Sequence, residues 1–480
     1  MNATLLLLAL ALVPAADGPA PGTRSERLQL FVAGSRAGTI ASVDEPLPDG
    51  GWRLTRHADM EVQRGALRVR LVSRSVTEVG PDYAPRSFHY MREQLDGRGQ
   101  SLEAGGRLVC DGKAACDPAG CAITVTTALG ATPQTKVVRL PRGATFASAV
   151  EAQLRRTLRA GTRWEGKMFL EELADMQDAS WSVEKEAGGF VIRTRVAGVD
   201  TVDHVDAAGR TLKSETPVMS AVALPEGSKE IPGAGGKGLL DVLAQSTWKG
   251  PVVPEGVKRV RFELTTREGD VAAVPEGRHQ RVVKRELGRV VVEVVRLPKG
   301  PAEKLSADEK QRALAATPYE PLSDPRVREA AAKARGNATR PRDIVRNVIL
   351  WVNDYVDDKD LSRAYAPATA TLQTRQGDCT EHSVLASALL KANGIPTRLA
   401  DGVIWFQDNL GYHEWVEVFL DGEGWVPADP TFGEPEAGPN RVKFANGSSD
   451  PSDLMIMGLS AAQAFRGLRV TVADSDPAAK

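Results

Sequence analysis

TLQTRQGDCTEHSVLASALLKANGIPTRLADGVIW, from Thr371 to Trp405, holds the pattern on which the architecture of the C-terminal third turns. Gly377 and Asp378 break whatever precedes them, and the run from Cys379 to Asn393 has helical character. Val384, Leu385, Ala388, Leu389 and Ala392 recur at helical spacing and make an apolar stripe. Gly394 fits the position just past the helix, and Pro396 stops it. Cys379 therefore belongs to the first turn of a buried helix, where free N–H groups and the positive end of the helix dipole favour a thiolate.

The next segment, GYHEWVEVFLDGEGWVPADPTFGE, runs from Gly411 to Glu434. His413 to Leu420 reads as a strand, Asp421 to Gly424 as a tight turn, and Trp425 to Ala428 as the returning strand. His413 starts the first strand and Asp429 ends the second, so in an antiparallel hairpin they can be neighbours without any further folding assumption. A Cys379 helix packed on that hairpin can give one imidazole nitrogen to the sulfur and the other to the carboxylate. That is the geometry of a nucleophile, its base, and the group that orients the base.

These two segments together resemble the transglutaminase-like superfamily of papain-related thiol enzymes. The shared pattern is a Gly-Asp-Cys helix start, a Leu-rich helix closing in Gly-Ile-Pro, a His-x-Trp-x-Glu strand and an Asp-Pro-Thr end. The resemblance implies Cys379 as nucleophile, His413 as general base and Asp429 as its partner. It covers about Asp324 to Ser475, including FANGSSD and the terminal strand LRVTV at Leu468. The β-rich region upstream resembles the accessory domains of exported bacterial members. Such enzymes often add an aromatic or Gln side chain as second oxyanion donor. Gln373, Gln376 and Trp405 are the candidates here, beside the backbone N–H of Cys379.

Each residue also has a plainer reading. Cys379 could be a small buried hydrophobe, His413 a hydrogen-bonded strand residue, and Asp429 a turn former before Pro430. His382, one turn along from Cys379, is the rival base. It is badly placed to stand across a substrate, and shaping the pocket or packing on the hairpin suits it better. Glu381 reads as a solvated helix residue, and Trp405, Trp415 and Trp425 as core.

Outward from this region, Arg326 to Ala334 and Arg342 to Val356 look helical, the second with Ile344, Val345, Val348, Ile349 and Val352 on one face. From Glu26 to Glu226 the chain is rich in β-branched residues, with one helix near Ala147 to Ala160 and a hairpin turn at Asp206 to Gly209. The expected class is α+β, a helix packed on antiparallel sheet preceded by β-rich domains. The expected divisions are residues 24–226 for the first β domain, 227–251 for a Gly/Pro-rich linker, 252–300 for a second β segment and 324–475 for the transglutaminase-like domain.

A chain of 480 residues exceeds one hydrophobic core, and 42% hydrophobic with 26% charged residues places it among soluble globular proteins. Lys+Arg 61 against Asp+Glu 62 gives no electrostatic reason for a nucleic-acid partner. Leu5 to Val13 is an apolar run followed by Pro14, Ala15 and Ala16, which reads as a signal peptide over residues 1–15. Export, periplasmic or extracellular, is the expectation, with no stable membrane span. Cys110, Cys116 and Cys121 cluster, so that one disulfide and a spare thiol are expected in an exported protein; a zinc site fits less well, for want of a fourth ligand.

The expected reaction is acyl transfer on a peptide or carboxamide bond through a thioester. It needs no metal or other cofactor, and the sequence carries no calcium-loop motif. Water as acceptor makes a protease or deamidase, and an amine makes a transglutaminase; hydrolysis is the reading leaned on. The alternative from another class is a peptide- or glycan-binding module with a vestigial triad.

Overall fold

The computed structural model describes residues 22–476 apart from 33–34, 65–66, 96–99, 109–120, 130–131, 197–198, 217–218, 226–227, 229–247, 250–252, 254–255, 267–270, 272–273, 297, 299–300, 358–365, 407–408, 451–452, 455–456, 459–460, 462–463 and 465–467. The apolar N-terminal run, Cys110 and Cys116, the side chain of Cys121 and most of the 227–251 linker lie outside the described residues.

The N-terminal half is one antiparallel sheet. Strands β1 (Arg24–Val32) through β8 (Thr132–Leu140) each pair with the next, and helix α1 (Ala147–Arg156) crosses to β9 (Arg163–Leu170). The chain then returns strand by strand to β14 (Met219–Ala223), which pairs with β1. The β-branched content expected of this region thus becomes a 14-stranded sheet with β8 and β9 at its ends. The turn at Asp206 closes with Gly209 N–H donating to Asp206 O at 2.9 Å. Gly209 is required there: its φ is +77°, and a Cβ would lie 2.2 Å from the Arg155 carbonyl. Glu171 accepts from the N–H groups of Ala147 and Ser148, both at 3.2 Å, and so satisfies two of the free donors at the start of α1. Phe88, Phe146 and Phe169 pack ring on ring beneath it, with centroids 4.9–5.9 Å apart.

Strand β15 (Trp248–Lys249) precedes a second sheet, built from β16 (Arg259–Thr266), β17 (Gln280–Glu286) and β18 (Arg289–Val295). Along β16 Val260, Phe262 and Leu264 are buried at alternate positions, as the period-2 geometry of a half-buried strand requires. Helices α2 (Ala307–Ala313), α3 (Pro325–Arg335), α4 (Pro341–Tyr355), α5 (Ala368–Thr374) and α6 (Cys379–Ala392) follow. Asp324 caps α3 and Pro325 opens it; Pro341 opens α4, whose five anticipated apolar residues are all buried.

The third sheet has the order β15, β20 (Asn409–Leu420), β19 (Thr397–Phe406), β22 (Arg441–Gly447), with β21 (Gly424–Ala428) also on β20. Helix α6 lies on β19 and β20, burying Val384, Leu385 and Leu389 against Leu399, Val416 and Val418. Each such side chain contributes about 1.5–3 kcal/mol on burial. The final strand, β23 (Leu468–Ser475), pairs with β16, so the chain's last strand closes the second sheet. Phe262 and Trp405 stack at 4.2 Å where the second and third sheets meet. The whole is mixed helix and sheet, a β-rich N-terminal region followed by an α+β C-terminal one.

Candidate functional site

Helix α6 begins at Cys379 because Asp378 and Glu381 form a reciprocal cap. The Asp378 carboxylate accepts from Thr380 N–H at 2.8 Å, and Glu381 accepts from Asp378 N–H at 3.0 Å. Glu381 also accepts from Ala366 N–H at 2.9 Å and is fully buried, so it is no solvated surface residue. The cap draws it inward because its carboxyl is the partner of two otherwise unsatisfied backbone donors. Burial first, and the Asp378 charge second, push its carboxyl up to about 8.

His413 lies in β20, directly across the ladder from Gly402 of β19. Asp429 follows β21, which returns beside β20 with Ala428 opposite Val416. The hairpin therefore brings them together: His413 Nε2 lies 2.8 Å from Asp429 Oδ2. Both side chains are buried, whereas Cys379 is half-buried. The other carboxylate oxygen, Asp429 Oδ1, accepts from the N–H groups of Thr431 at 3.0 Å and Phe432 at 3.3 Å. Asn353 of α4 holds that loop by donating to the carbonyls of Pro430 and Thr431. The His413 ring packs on Phe432 at 5.1 Å and runs nearly parallel to Trp415 at 6.3 Å.

The sulfur of Cys379 meets the backbone N–H of Glu414, the residue after His413. Among the described residues β15 takes positions 409–410 of β20 and β21 takes 416–420, which leaves Glu414 between them. The helix mouth had pointed to a thiolate. Instead burial, with the carboxylates of Asp378 and Glu414, raises the thiol well above its usual range, and the Glu414 N–H offsets only part of this. Burial is the larger cause, and the two carboxylates add to it.

Arg441 was not legible as part of this site. Its Nη1 donates to Asp429 Oδ2 at 2.6 Å and its Nη2 to Glu434 Oε2 at 2.6 Å, with the guanidinium 5.5 Å from the Trp415 ring centroid. Burial opposes ionisation of Asp429, but His413 and Arg441 together hold its carboxyl far below the ordinary range. Nothing near Arg441 in the sequence marks it, since only the β19–β22 pairing carries it to the hairpin.

The remaining candidates disperse. His382 turns Nδ1 to the Asp378 carbonyl at 2.6 Å, within its own helix. Trp405 is core, under Phe262, and Gln373 is exposed on α5. Trp415 is buried beside the site, and Trp425 carries Arg398 over its ring at 4.1 Å. Among the described residues no group of three or more His, Cys, Asp or Glu side chains is placed to hold a metal ion, and no helix is long and apolar enough to cross a membrane.

Residues 328–430 match the family model of the transglutaminase-like superfamily. No curated protein matches the chain. Among solved structures it is similar to a candidate cysteine protease from Cytophaga hutchinsonii, with 13% identity over 48% of this chain and 91% of that one and a TM-score of 0.30. It is also similar to the periplasmic domain of TgpA from Pseudomonas aeruginosa, with 18% identity over 40% and 74% and a TM-score of 0.29. A β-barrel-like protein from Brucella abortus shares 11% identity over 42% and 94%, with a TM-score of 0.31. Cys379, His413 and Asp429 thus all fall within the segment that matches the transglutaminase-like superfamily, set behind a large β-rich region.

Proposed function

We propose that this chain is a thiol-dependent acyl-transfer enzyme with Cys379 as nucleophile, His413 as general base and Asp429 as the group that orients it. The observation carrying the proposal is the 2.8 Å contact of His413 Nε2 with Asp429 Oδ2, beside a backbone N–H that meets the Cys379 sulfur. With Nε2 engaged, Nδ1 is the nitrogen left for the thiol proton.

The raised thiol decides how the site starts. At neutral pH the sulfur rests protonated, so His413 takes its proton as attack begins rather than sharing a preformed ion pair. The sulfur then bonds to the carbonyl carbon of a peptide or carboxamide, and the oxyanion turns to the Cys379 backbone N–H. His413 returns the proton to the leaving amine as the C–N bond breaks, leaving a thioester. Water attacking that thioester, with His413 accepting its proton, releases the acid and restores the thiol. Hydrolysis, as a protease or deamidase, is the favoured outcome; an amine acceptor would make the same site a transglutaminase. No step requires a metal or organic cofactor. The apolar Leu5–Val13 run supports an exported enzyme acting on protein or peptide substrates.

The test is alkylation of Cys379 by iodoacetamide across pH, in the wild type, Cys379→Ala and His413→Ala. Labelling that changes its pH dependence when His413 is removed supports the triad. A profile untouched by His413→Ala would leave a binding module on the same fold. Ammonia release, peptide cleavage and incorporation of a fluorescent primary amine then separate the three acceptor outcomes.

A further inference from the structure

We propose that Arg441 is a positioning residue, which fixes the Asp429 carboxylate and limits how much of its charge reaches His413. This rests on the triad reading above. Asp429 Oδ2 is shared by two donors, His413 Nε2 at 2.8 Å and Arg441 Nη1 at 2.6 Å. The guanidinium cannot swing away. Its Nη2 is held by Glu434 at 2.6 Å, and Glu434 is locked to Asp429 by a reciprocal pair of backbone hydrogen bonds, both 2.8 Å. Arg441 itself is 3% exposed, so solvent screens this charge poorly.

A carboxylate behind a base has two effects: it orients the ring, and it stabilises the imidazolium formed when the base takes a proton. A permanent cation on the same oxygen strengthens the first effect and weakens the second. Arg441 thereby keeps His413 aimed without letting Asp429 draw the thiol proton onto it before substrate arrives.

The other charges facing this group are accounted for. Glu417 of β20 is neutralised by Lys443 of β22 at 2.5 Å and Arg398 of β19 at 2.6 Å. Asp378 and Glu414 face the sulfur, with Glu381 beneath them in the cap and Asp401 across the ladder from Glu414. None is altered by the substitutions below, so a shift reports on Arg441.

The experiment is the pH dependence of iodoacetamide labelling in the full chain, for wild type, Arg441→Met, Arg441→Lys and Glu434→Gln, with His413→Ala beside them. Arg441→Met should lower the labelling midpoint by about one pH unit, because Asp429 then serves His413 alone. Arg441→Lys, which keeps the charge but loses the fork, should hold the wild-type midpoint. Glu434→Gln leaves the guanidinium to act on Asp429 alone and should move the midpoint slightly the other way. Its partly exposed side chain makes that variant the safeguard if Arg441→Met does not fold. Equal midpoints in wild type, Arg441→Met and Glu434→Gln would reduce Arg441 to a packing role and overturn the proposal while the triad stood. A His413→Ala profile matching the wild type would remove the triad, and Arg441's role with it.

Discussion

Gly402 faces His413 across the β19–β20 ladder, and it is the absence of a side chain on Gly402 that lets β22 close on β19. A Cβ there would lie 1.9 Å from the Val442 carbonyl, next to Arg441. Gly402→Ala must therefore push β22 outward. We expect a cost of about 1–3 kcal/mol, read as a lower melting temperature, together with a drop in Cys379 reactivity. An alanine variant with wild-type stability would mean that the ladder has slack which these contacts deny.

On the triad reading, His413→Ala and Asp429→Asn each lower turnover on a peptide or carboxamide substrate by about 10²–10⁴-fold. Asp429→Asn also weakens the hold on Arg441, so it should cost stability where His413→Ala costs less. Steady-state kinetics and a denaturant melt on the same preparations separate the two effects.

The raised Cys379 thiol gives a signed expectation. Its labelling by iodoacetamide should be slow near neutrality and rise at a higher pH than for an ordinary thiol, whose midpoint is about 8.5. Glu414→Gln removes one of the carboxylates that hold the proton on, so the midpoint should move down. A Gln variant whose midpoint moved up would show that the Glu414 charge is not felt at the sulfur.

Asp401 is fully buried, and burial pushes its carboxyl up to about 8 against a small lowering by the Ala445 N–H. The folded chain thus keeps a proton that the unfolded chain gives up near the usual value of about 4. Stability from this group is fully present below that range and is lost as pH rises to about 8. Asp401→Asn should flatten the decline, though only in part, since Glu381 is also raised to about 8. Thermal melts from pH 4 to 9 on both proteins measure it.

The local parts of the site follow from short runs of residues. Asp378 and Glu381 sit at capping-box spacing, and Gly394 adopts φ +79° where the helix must end. His413 and Asp429 meet at the open end of a tight hairpin, in which Leu420 pairs with Gly424. These features depend on neighbours within a few residues or across one turn, and so they are written in one stretch of chain.

The environment of those residues comes instead from contacts between distant segments. Arg441 reaches Asp429 through a third strand, and Glu381 is buried because Ala366 supplies a second donor from a separate segment. The thiol is raised rather than lowered because burial and neighbouring carboxylates act on it. Nor could composition tell that β23 would pair with β16, more than two hundred residues earlier in the chain. Burial and charge proximity are properties of packing between distant segments; a local pattern names which groups are present and leaves their electrostatics to the fold.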